Sequence, residues 1–108
     1  MNKDQAIGSL VGLAVGDALG TTLEFHKNPS PDRSTWHTEI TGGGAFGVPA
    51  GGWTDDTSMA LALAESLFAS GYFNAEEVAD NFVAWWLEGK FSWADKCVDI
   101  GNATREAL

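Results

Sequence analysis

The most constraining feature of the sequence is a helical repeat near its N-terminus. Apolar side chains recur there at steps of three and four residues, the period of an α-helix with one buried face. They are Ile7, Leu10, Val11, Ala14 and Ala18. Glycine also returns at every fourth position from Gly8 to Gly20, although a glycine inside a helix costs about 1 kcal/mol relative to alanine. Residues 5–19 are therefore predicted to form a helix whose glycine face closely approaches another backbone.

Three further segments show the same helical period. Residues 57–69 carry one apolar face and stop before Gly71. The next segment opens at Asn74, in a pattern that resembles a capping box, and stops at Gly89. Its predicted buried stripe consists of Val78, Phe82, Val83 and Trp86. A fourth helix is predicted after Asp99, and because no alternating apolar and polar run is long enough for a strand, we predict an all-α fold.

Residues 27–53 join the first two helices and show no sustained periodicity. They are rich in Pro, Ser, Thr and Gly, which predicts a long irregular loop of the kind that is often functional. The glycine-rich stretch follows no predicted strand and lacks the Lys-Ser/Thr ending of a phosphate loop. Nucleotide binding by a P-loop or a Rossmann fold is therefore not indicated.

The charge balance limits the classes of partner. Six Lys and Arg residues stand against fifteen Asp and Glu residues, which gives a net charge of −9. This field repels phosphate backbones, so we expect no direct binding to nucleic acid. A ligand that carries phosphates would need metal ions, backbone amides or helix N-termini to offset the repulsion.

The single cysteine and the first helix both bear on cellular location. Cys97 has no second cysteine with which to form a disulfide or a thiolate zinc site, which is typical of a reducing compartment and predicts a cytoplasmic protein. The apolar run of the first helix follows Asp4 and ends at Asp17. That run is too short to cross a bilayer of about 30 Å, so we expect neither a membrane anchor nor a signal peptide.

Residues 53–57 read WTDDT and set two adjacent carboxylates at the predicted start of the second helix. Thr54 occupies a suitable N-cap position, and Asp55 and Asp56 fall in the first turn, where the helix dipole stabilises anions. The same three side chains offer hard oxygen ligands to Mg²⁺ or a similar cation. The pattern alone leaves two interpretations open, a capped helix start and part of a metal site.

Two further carboxylates stand out. Asp17 lies in an apolar helix, where an ionised carboxylate is costly unless it is paired or hydrogen-bonded, although a helix-end or surface position would also explain it. Glu24 is flanked by Leu and Phe, which predicts partial desolvation and a raised pKa suited to proton transfer. His26 and His37 are not at helical spacing and Ser58 has no histidine partner in its sequence context, so neither a zinc hydrolase nor a serine hydrolase is indicated.

Three stretches of the chain carry a further signal. They are GLAVGDALGTTLEF at residues 12–25, GGWTDDTSMALALAESL at residues 51–67 and DIGNATREAL at residues 99–108. In this order and at this separation they resemble the ADP-ribosylglycohydrolase family, whose members remove ADP-ribose from modified proteins or related acceptors. The resemblance implies a compact multi-helix bundle. It also implies a hydrolase that cleaves the glycosidic bond at the ribose of an ADP-ribosylated protein or small molecule.

The resemblance also implies roles for individual residues. In that family the Thr-Asp-Asp element binds a two-metal centre, usually Mg²⁺ and in some members Mn²⁺, which places Thr54, Asp55 and Asp56 on the metals. Glu24 matches the acid/base glutamate of some members. Asp99 matches a position near the substrate ribose. Asp17 would hold the first helix and the loop together.

The sequence also departs from the family pattern. Members carry a segment ending in Met-Arg and a late Asp-x-Asp-Thr element that completes the metal centre, and neither occurs here. We therefore expect residues 1–108 to be the N-terminal part of a single domain, which needs a complementary C-terminal chain or self-association. Two alternatives remain: a catalytically inactive module that binds ADP-ribose, and a helical interaction module in which the Thr-Asp-Asp turn only caps a helix.

Overall fold

The fold is built from α-helices joined by loops. The computed structural model describes residues 1–26 and 31–108. In these ranges the helices are α1 (Lys3–Gly20), α2 (Asp55–Ser70), α3 (Ala75–Glu88) and α4 (Asn102–Ala107), with short 3-10 turns at Thr21–Leu23 and Arg33–Thr35. Apart from one isolated bridge between Gly43 and Val48, the described ranges contain no strand pairing. The prediction of an all-α fold is confirmed.

Capping side chains and glycines set the helix ends. Helix α1 begins with a reciprocal capping box, in which the amides of Asn2 and Gln5 each donate to the other side chain at 2.9 Å. Helices α2 and α3 stop, as predicted, at glycines in the left-handed conformation, Gly71 (φ 72°) and Gly89 (φ 75°). At Gly89 a Cβ atom would fall 2.1 Å from the amide nitrogen of Lys96. The loop after α3 therefore requires a glycine at this position.

Helix α3 starts at the predicted cap but without the full capping box. The Asn74 side chain accepts hydrogen bonds from the amides of Glu76 and Glu77, at 3.2 and 3.3 Å. The carboxylate of Glu77 accepts from the hydroxyl of Ser70 at the end of α2. Because this contact occupies the Glu77 side chain, the reciprocal half of the predicted box is replaced by a link between two helices.

Helices α2 and α3 pack against each other and form the core. Their buried side chains include Ala62 and Ser66 on α2 and Val78, Asn81 and Trp85 on α3. The buried amide of Asn81 donates to the carbonyl oxygen of Ala62 at 3.3 Å and accepts from the Lys90 ammonium at 3.3 Å. These bonds satisfy a polar group that would otherwise be costly to bury.

The buried stripe of α3 differs from the predicted one. Val78 is buried as predicted, but Phe82, Val83 and Trp86 are only half-buried, and Trp85 is completely buried instead. The cause is the polar residue at position 81, which lies on the buried face three residues after Val78 and four before Trp85. A stripe drawn through apolar residues alone passes over this asparagine and therefore shifts by one residue.

Helix α1 is attached near its C-terminal end and is otherwise exposed. Only Ala18 is buried along the helix, and five of its large apolar side chains are between 39% and 54% exposed. These side chains are Ile7, Leu10, Val11, Leu13 and Val15. A Cβ atom added at Gly8, Gly12, Gly16 or Gly20 would meet nothing within 4 Å. The predicted backbone contact along the glycine face is therefore absent from the described part of the chain.

The first helix also bears on the membrane prediction. The segment Lys3–Leu23 is long and apolar enough to cross a membrane by length and composition, with a mean hydropathy of 1.5, and 11% of it is buried. Asp17 falls inside this segment, so the helix is longer than the apolar run on which the prediction rested. A carboxylate that binds another helix favours docking on the protein over insertion into lipid, where an ionised side chain is expensive. The absence of an anchor stays a prediction.

The predicted irregular loop is described from residue 31 onward, and residues 27–30 lie outside the described residues. From residue 31 to residue 53 the chain contains one 3-10 turn and the bridge that pairs Gly43 with Val48. The rest of this segment has no regular secondary structure, which agrees with the prediction.

Candidate active site

The Thr-Asp-Asp turn at the start of α2 is held by Asp17 of α1. One oxygen of the Asp17 carboxylate accepts from the hydroxyl of Thr54 at 2.8 Å, and the other accepts from the hydroxyl of Thr57 at 2.6 Å. The amide of Thr54 donates to both oxygens, at 3.1 and 3.0 Å, and the amide of Thr57 donates at 3.2 Å. The start of α2 is thus capped by a residue from another helix.

This arrangement corrects one expectation and confirms another. Thr54 lies at the N-cap position as predicted, but its side chain makes no capping hydrogen bond to its own helix, because its hydroxyl donates to Asp17. Asp17 is hydrogen-bonded, as its place in an apolar helix required, but it joins α1 to the start of α2, whereas the resemblance implied a link to the loop. Thr57 was not singled out from the sequence. Its spacing of three residues from Thr54 places both hydroxyls on one side of the first turn, and that spacing was the available signal.

Two tryptophans fix the turn from its other side. The indole N–H of Trp93 donates to the carbonyl oxygen of Trp53 at 2.9 Å. The indole N–H of Trp53 lies 3.2 Å from the hydroxyl oxygen of Ser58 and 3.3 Å from the carbonyl oxygen of Phe91. These contacts tie the loop after α3 to the residue that precedes the Thr-Asp-Asp turn. Ser58 is buried and takes part in this contact.

The glycine-rich loop at residues 42–47 packs against the 3-10 turn Thr21–Leu23, which follows α1. The hydroxyl of Thr22 donates to the carbonyl oxygen of Gly42 at 2.9 Å. At Gly44, where φ is +72°, a Cβ atom would fall 2.7 Å from the carbonyl oxygen of Thr21. Only glycine allows so close an approach of the two backbones. The loop is thereby held beside the segment that carries Glu24.

Carboxylates from separate parts of the chain influence one another at this site. Burial raises the pKa of Glu24, and the charges of Asp99, Asp55, Asp56 and Asp17 add to the rise, in that order. This direction agrees with the raised pKa predicted for Glu24, although its side chain is exposed. Every charged group that shifts this pKa is itself a carboxylate. The structure therefore brings the predicted acid/base residue, the predicted metal ligands and Asp99 into one acidic region.

Asp55 is the half-buried member of this region. Burial raises the pKa of its carboxyl group most, and the charge of Asp99 adds to the rise. Hydrogen bonding to its own amide lowers this pKa, and the charge of Asp56 raises it further. Hydrogen bonding from Thr54 is the smallest effect and lowers the pKa. The rise prevails, so the ionised form of Asp55 is disfavoured in the folded chain.

Asp99 reaches the site from the segment before α4. Its backbone has a left-handed φ of 62°, and its side chain accepts from the amide of Ile100 at 2.7 Å. The thiol of Cys97 donates to the Asp99 carbonyl oxygen at 3.0 Å. Such a backbone conformation is uncommon outside glycine, although aspartate tolerates it better than most residues.

An open cleft of about 580 Å³ lies between α1 and the Thr-Asp-Asp turn. Its walls include Gly12, Gly16, Asp17, Glu24, Thr54 and Asp56. Part of the glycine face of α1 thus lines this cleft, where the lack of side chains leaves room beside the carboxylates. Asp99 lies outside this cleft and lines a neighbouring cavity of about 390 Å³ together with Arg105.

The donor set suits a hard cation but does not complete a metal site. Among the described residues, no group of three or more carboxylate, imidazole or thiol side chains is placed to hold a metal ion. Asp55 and Asp56 with the Thr54 hydroxyl provide oxygen donors, and Mg²⁺ is commonly bound by one or two carboxylates while waters fill its other positions. The residues present therefore fit one side of a magnesium site.

The whole sequence, residues 1–108, matches the family model of the ADP-ribosylglycohydrolases. The chain belongs to this family. The resemblance carried by its three stretches is thereby confirmed, and the helical fold is consistent with membership of this family.

Several curated relatives of this ADP-ribosylglycohydrolase chain are similar over almost all of its length. An ADP-ribosylarginine hydrolase Tri1 from Pseudomonas putida (strain GB-1) is 49% identical over 105 residues, which cover 97% of this chain and 27% of that protein. The protein of the same name from Serratia proteamaculans (strain 568) is 48% identical over 105 residues, or 97% of this chain and 28% of that protein. An ADP-ribosyl-[dinitrogen reductase] glycohydrolase from Rhodospirillum rubrum is 41% identical over 106 residues, or 97% of this chain and 34% of that protein. The chain thus spans about a third or less of the length of these relatives.

Proposed function

We propose that this chain contributes to a metal-dependent hydrolase that removes ADP-ribose from a modified acceptor by cleaving the glycosidic bond at the ribose. The observation that carries the proposal is the acidic region around the Thr-Asp-Asp turn. Five carboxylates from three parts of the chain interact there, and no basic side chain is among the charges that shift the pKa of Glu24 or Asp55. A bound cation would relieve this repulsion, and family membership supplies the reaction class.

We propose two Mg²⁺ ions as cofactors, with Mn²⁺ as the alternative. Thr54, Asp55 and Asp56 would hold them from one side. Ions of this kind supply Lewis-acid polarisation of substrate oxygens and orient a water. The Asp17 contacts support this assignment because they fix the turn through the two threonines and do not involve Asp55 or Asp56, which remain as the candidate ligands.

Glu24 is the proposed acid/base group. Its raised pKa means that the carboxyl group keeps its proton closer to neutral pH than an ordinary glutamate does. It would transfer a proton to the leaving group, or take one from the attacking water, while positive charge develops on the ribose ring. Asp99 would contact the substrate ribose, since its charge acts on both Glu24 and Asp55.

We further propose that the site is completed by a second polypeptide or segment, or by self-association. The described residues offer one side of a metal site, and the curated relatives are about three to four times as long as the matched region. The exposed apolar side chains of α1 would be covered by such a partner, because large apolar patches are rarely left open on a monomer.

The acceptor is proposed to be an ADP-ribosylated protein, with arginine as the first linkage to test. Two similar relatives are named ADP-ribosylarginine hydrolases, and a third is named for dinitrogen reductase. A cytoplasmic location is proposed with it, because the free thiol of Cys97 suits a reducing compartment.

The test is hydrolysis of ADP-ribosylarginine by the complete chain, alone and with the remaining part of the Pseudomonas putida relative supplied as a separate chain. We expect release of ADP-ribose that depends on Mg²⁺ or Mn²⁺ and that is mostly lost when Asp55 and Asp56 are both replaced by asparagine. The matched control is Asp80→Asn, which removes an exposed carboxylate of α3. Native mass spectrometry of the chain purified from its own cells would show whether a second polypeptide and metal travel with it.

Three outcomes would contradict parts of the proposal. Unchanged turnover by the double variant in saturating Mg²⁺ would remove Asp55 and Asp56 from the metal site. Binding of ADP-ribose without metal dependence and without hydrolysis would indicate the inactive binding module. If calorimetry detects no heat on titration with Mg²⁺ or Mn²⁺, the chain is a helical interaction module in which the turn only caps α2.

A further inference from the structure

The Asp17 carboxylate has a chemical consequence beyond holding two helices together. An ionised carboxylate can only accept hydrogen bonds, so the hydroxyl groups that contact it must donate. Thr54 and Thr57 lie 2.8 and 2.6 Å from its two oxygens. Both threonines are buried, with 2% and 4% of their surface exposed. The hydrogen of each hydroxyl is thereby directed towards Asp17.

For Thr54 this direction decides what the oxygen can offer elsewhere. A hydroxyl group has one hydrogen and two lone pairs. When its hydrogen is committed to Asp17, the lone pairs of Thr54 remain free to face a cation held by the adjacent Asp55. Without Asp17, the adjacent Asp55 carboxylate would be an alternative acceptor for this hydrogen. A hydrogen turned towards Asp55 would point at the cation and repel it.

The charge of Asp17 adds a second effect. The N-terminus of a helix carries a partial positive charge, which disfavours a cation bound beside it. Asp17 accepts from the amides of Thr54 and Thr57 at the N-terminus of α2, at distances between 3.0 and 3.2 Å. Its negative charge lies against these amides and offsets the end of the dipole. The field at the first turn of α2 thereby becomes more favourable to a cation.

We infer that Asp17 is a positioning residue for the cation, because it takes the Thr54 hydrogen, turns the Thr54 lone pairs outward and neutralises the start of α2. This role rests on the proposed function, since it needs a cation at Asp55 and Asp56. It assigns to α1 a part in the affinity of the site although Asp17 is not one of the proposed ligands. Both oxygens of the Asp17 carboxylate accept hydrogen bonds from the turn.

The substitution Asp17→Asn tests this role because the asparagine side chain has the same shape. It removes the charge and replaces one acceptor oxygen by an NH₂ group, which cannot accept from a threonine hydroxyl. The measurement is Mn²⁺ affinity of the complete chain, with its complementing chain if the wild type needs one, by electron paramagnetic resonance. We expect affinity to fall by about 10- to 100-fold, as for other residues that orient metal ligands. Asp4→Asn is the matched control, because it removes a carboxylate from the same helix at an exposed position in the first turn.

A second pair of variants covers the case in which Asp17→Asn does not fold, which circular dichroism would reveal. Thr54→Ser keeps the hydroxyl and should keep the Mn²⁺ affinity, whereas Thr54→Val removes it and should lower the affinity about as much as Asp17→Asn. Equal affinity in the serine and valine variants would overturn the role, because the Thr54 oxygen would then be no ligand.

The outcomes separate the two proposals. If Asp17→Asn is folded and binds Mn²⁺ as tightly as the wild type does, the positioning role is wrong and the metal site stands. If the wild-type chain binds no Mn²⁺ with or without its complement, the proposed metal-dependent function fails and the role of Asp17 fails with it. If Asp4→Asn weakens binding as much as Asp17→Asn, the effect is one of net charge, and the positioning role is again wrong.

Discussion

Replacement of Asp55 by asparagine should stabilise the metal-free chain near neutral pH, although the same change removes one of the proposed metal ligands. The folded structure raises the pKa of Asp55 through burial and through the charge of Asp99, with a further contribution from Asp56. A raised pKa means that the ionised carboxylate is less favourable in the folded chain than in the unfolded one. Asparagine has nearly the same size and carries no charge, so it removes this cost.

The magnitude follows from the two like charges and their exposure to solvent. Asp55 is only half-buried, so water screens part of the repulsion, and interactions between partly exposed charges are worth about 0.2–1 kcal/mol each. The repulsion from two carboxylates, set against the favourable hydrogen bonds that oppose it, gives an expected gain of about 1 kcal/mol in the free energy of unfolding.

The gain should depend on pH with a definite sign. Between the pKa of the unfolded chain and the raised pKa of the folded chain, the folded state binds more protons, so its stability falls as the pH rises through that window. Below the ordinary value of 3.8 both states are protonated, and the penalty is absent. The wild type and the Asp55→Asn variant should therefore differ near neutral pH and converge in acid.

The assay is urea unfolding, followed by tryptophan fluorescence, in a chelator near neutral pH and again below the ordinary aspartate pKa. Asp80→Asn on the exposed face of α3 is the control and should change stability by less than about 0.5 kcal/mol. A loss of about 1 kcal/mol in Asp55→Asn near neutral pH would refute the reasoning, because it would show that Asp55 acts as a stabilising anion at the helix N-terminus. A gain of the same size at both pH values would also refute it.

Three other changes test separate parts of the structure. Gly89→Ala puts a Cβ atom 2.1 Å from a backbone nitrogen at a φ of 75° and should lower the free energy of unfolding by about 2 kcal/mol or more; a urea midpoint equal to that of the wild type would contradict this. Trp93→Phe loses the hydrogen bond to the Trp53 carbonyl and should cost about 1 kcal/mol in the same assay, whereas no change would show that water replaces the indole. In the active, completed enzyme, Glu24→Gln should remove a limb of the pH–rate profile that lies above the ordinary glutamate value of 4.5, and a limb that persists in the variant would assign the titration elsewhere.

Local patterns in the sequence were sufficient to locate the helices and to predict where α2 and α3 end. The three- and four-residue apolar steps predicted α1, and Gly71 and Gly89 predicted where α2 and α3 stop, because these signals act between residues close in sequence. The buried stripe of α3 was shifted because Asn81 is buried, and its burial depends on a carbonyl of α2. The apolar periodicity of one helix cannot predict such a contact, because the contact depends on the position of the other helix.

In the candidate site, too, contacts between residues distant in sequence could not be predicted. The residues Thr54, Asp55 and Asp56 could be chosen from the sequence because the three are adjacent and their oxygens suit a hard cation. The cap could not be assigned, because Asp17 lies 37 residues from Thr54 and a helix start usually takes its cap from the residue at its own N-cap. The glycine face of α1 could be recognised as unusual, but among the described residues no atom lies within 4 Å of a Cβ atom added there.

The cap supplied by Asp17 makes the start of α2 depend on the folding of the N-terminus. Bringing residues 17 and 54 together closes a loop of 37 residues, with an entropic cost of about 3 kcal/mol. The interhelical bonds must offset that cost, because the rest of α1 is largely exposed. The first helix therefore docks, and the Thr-Asp-Asp turn takes its final geometry, in one cooperative step. A chain that has lost its first helix would keep every proposed metal ligand and still lack the geometry to use them.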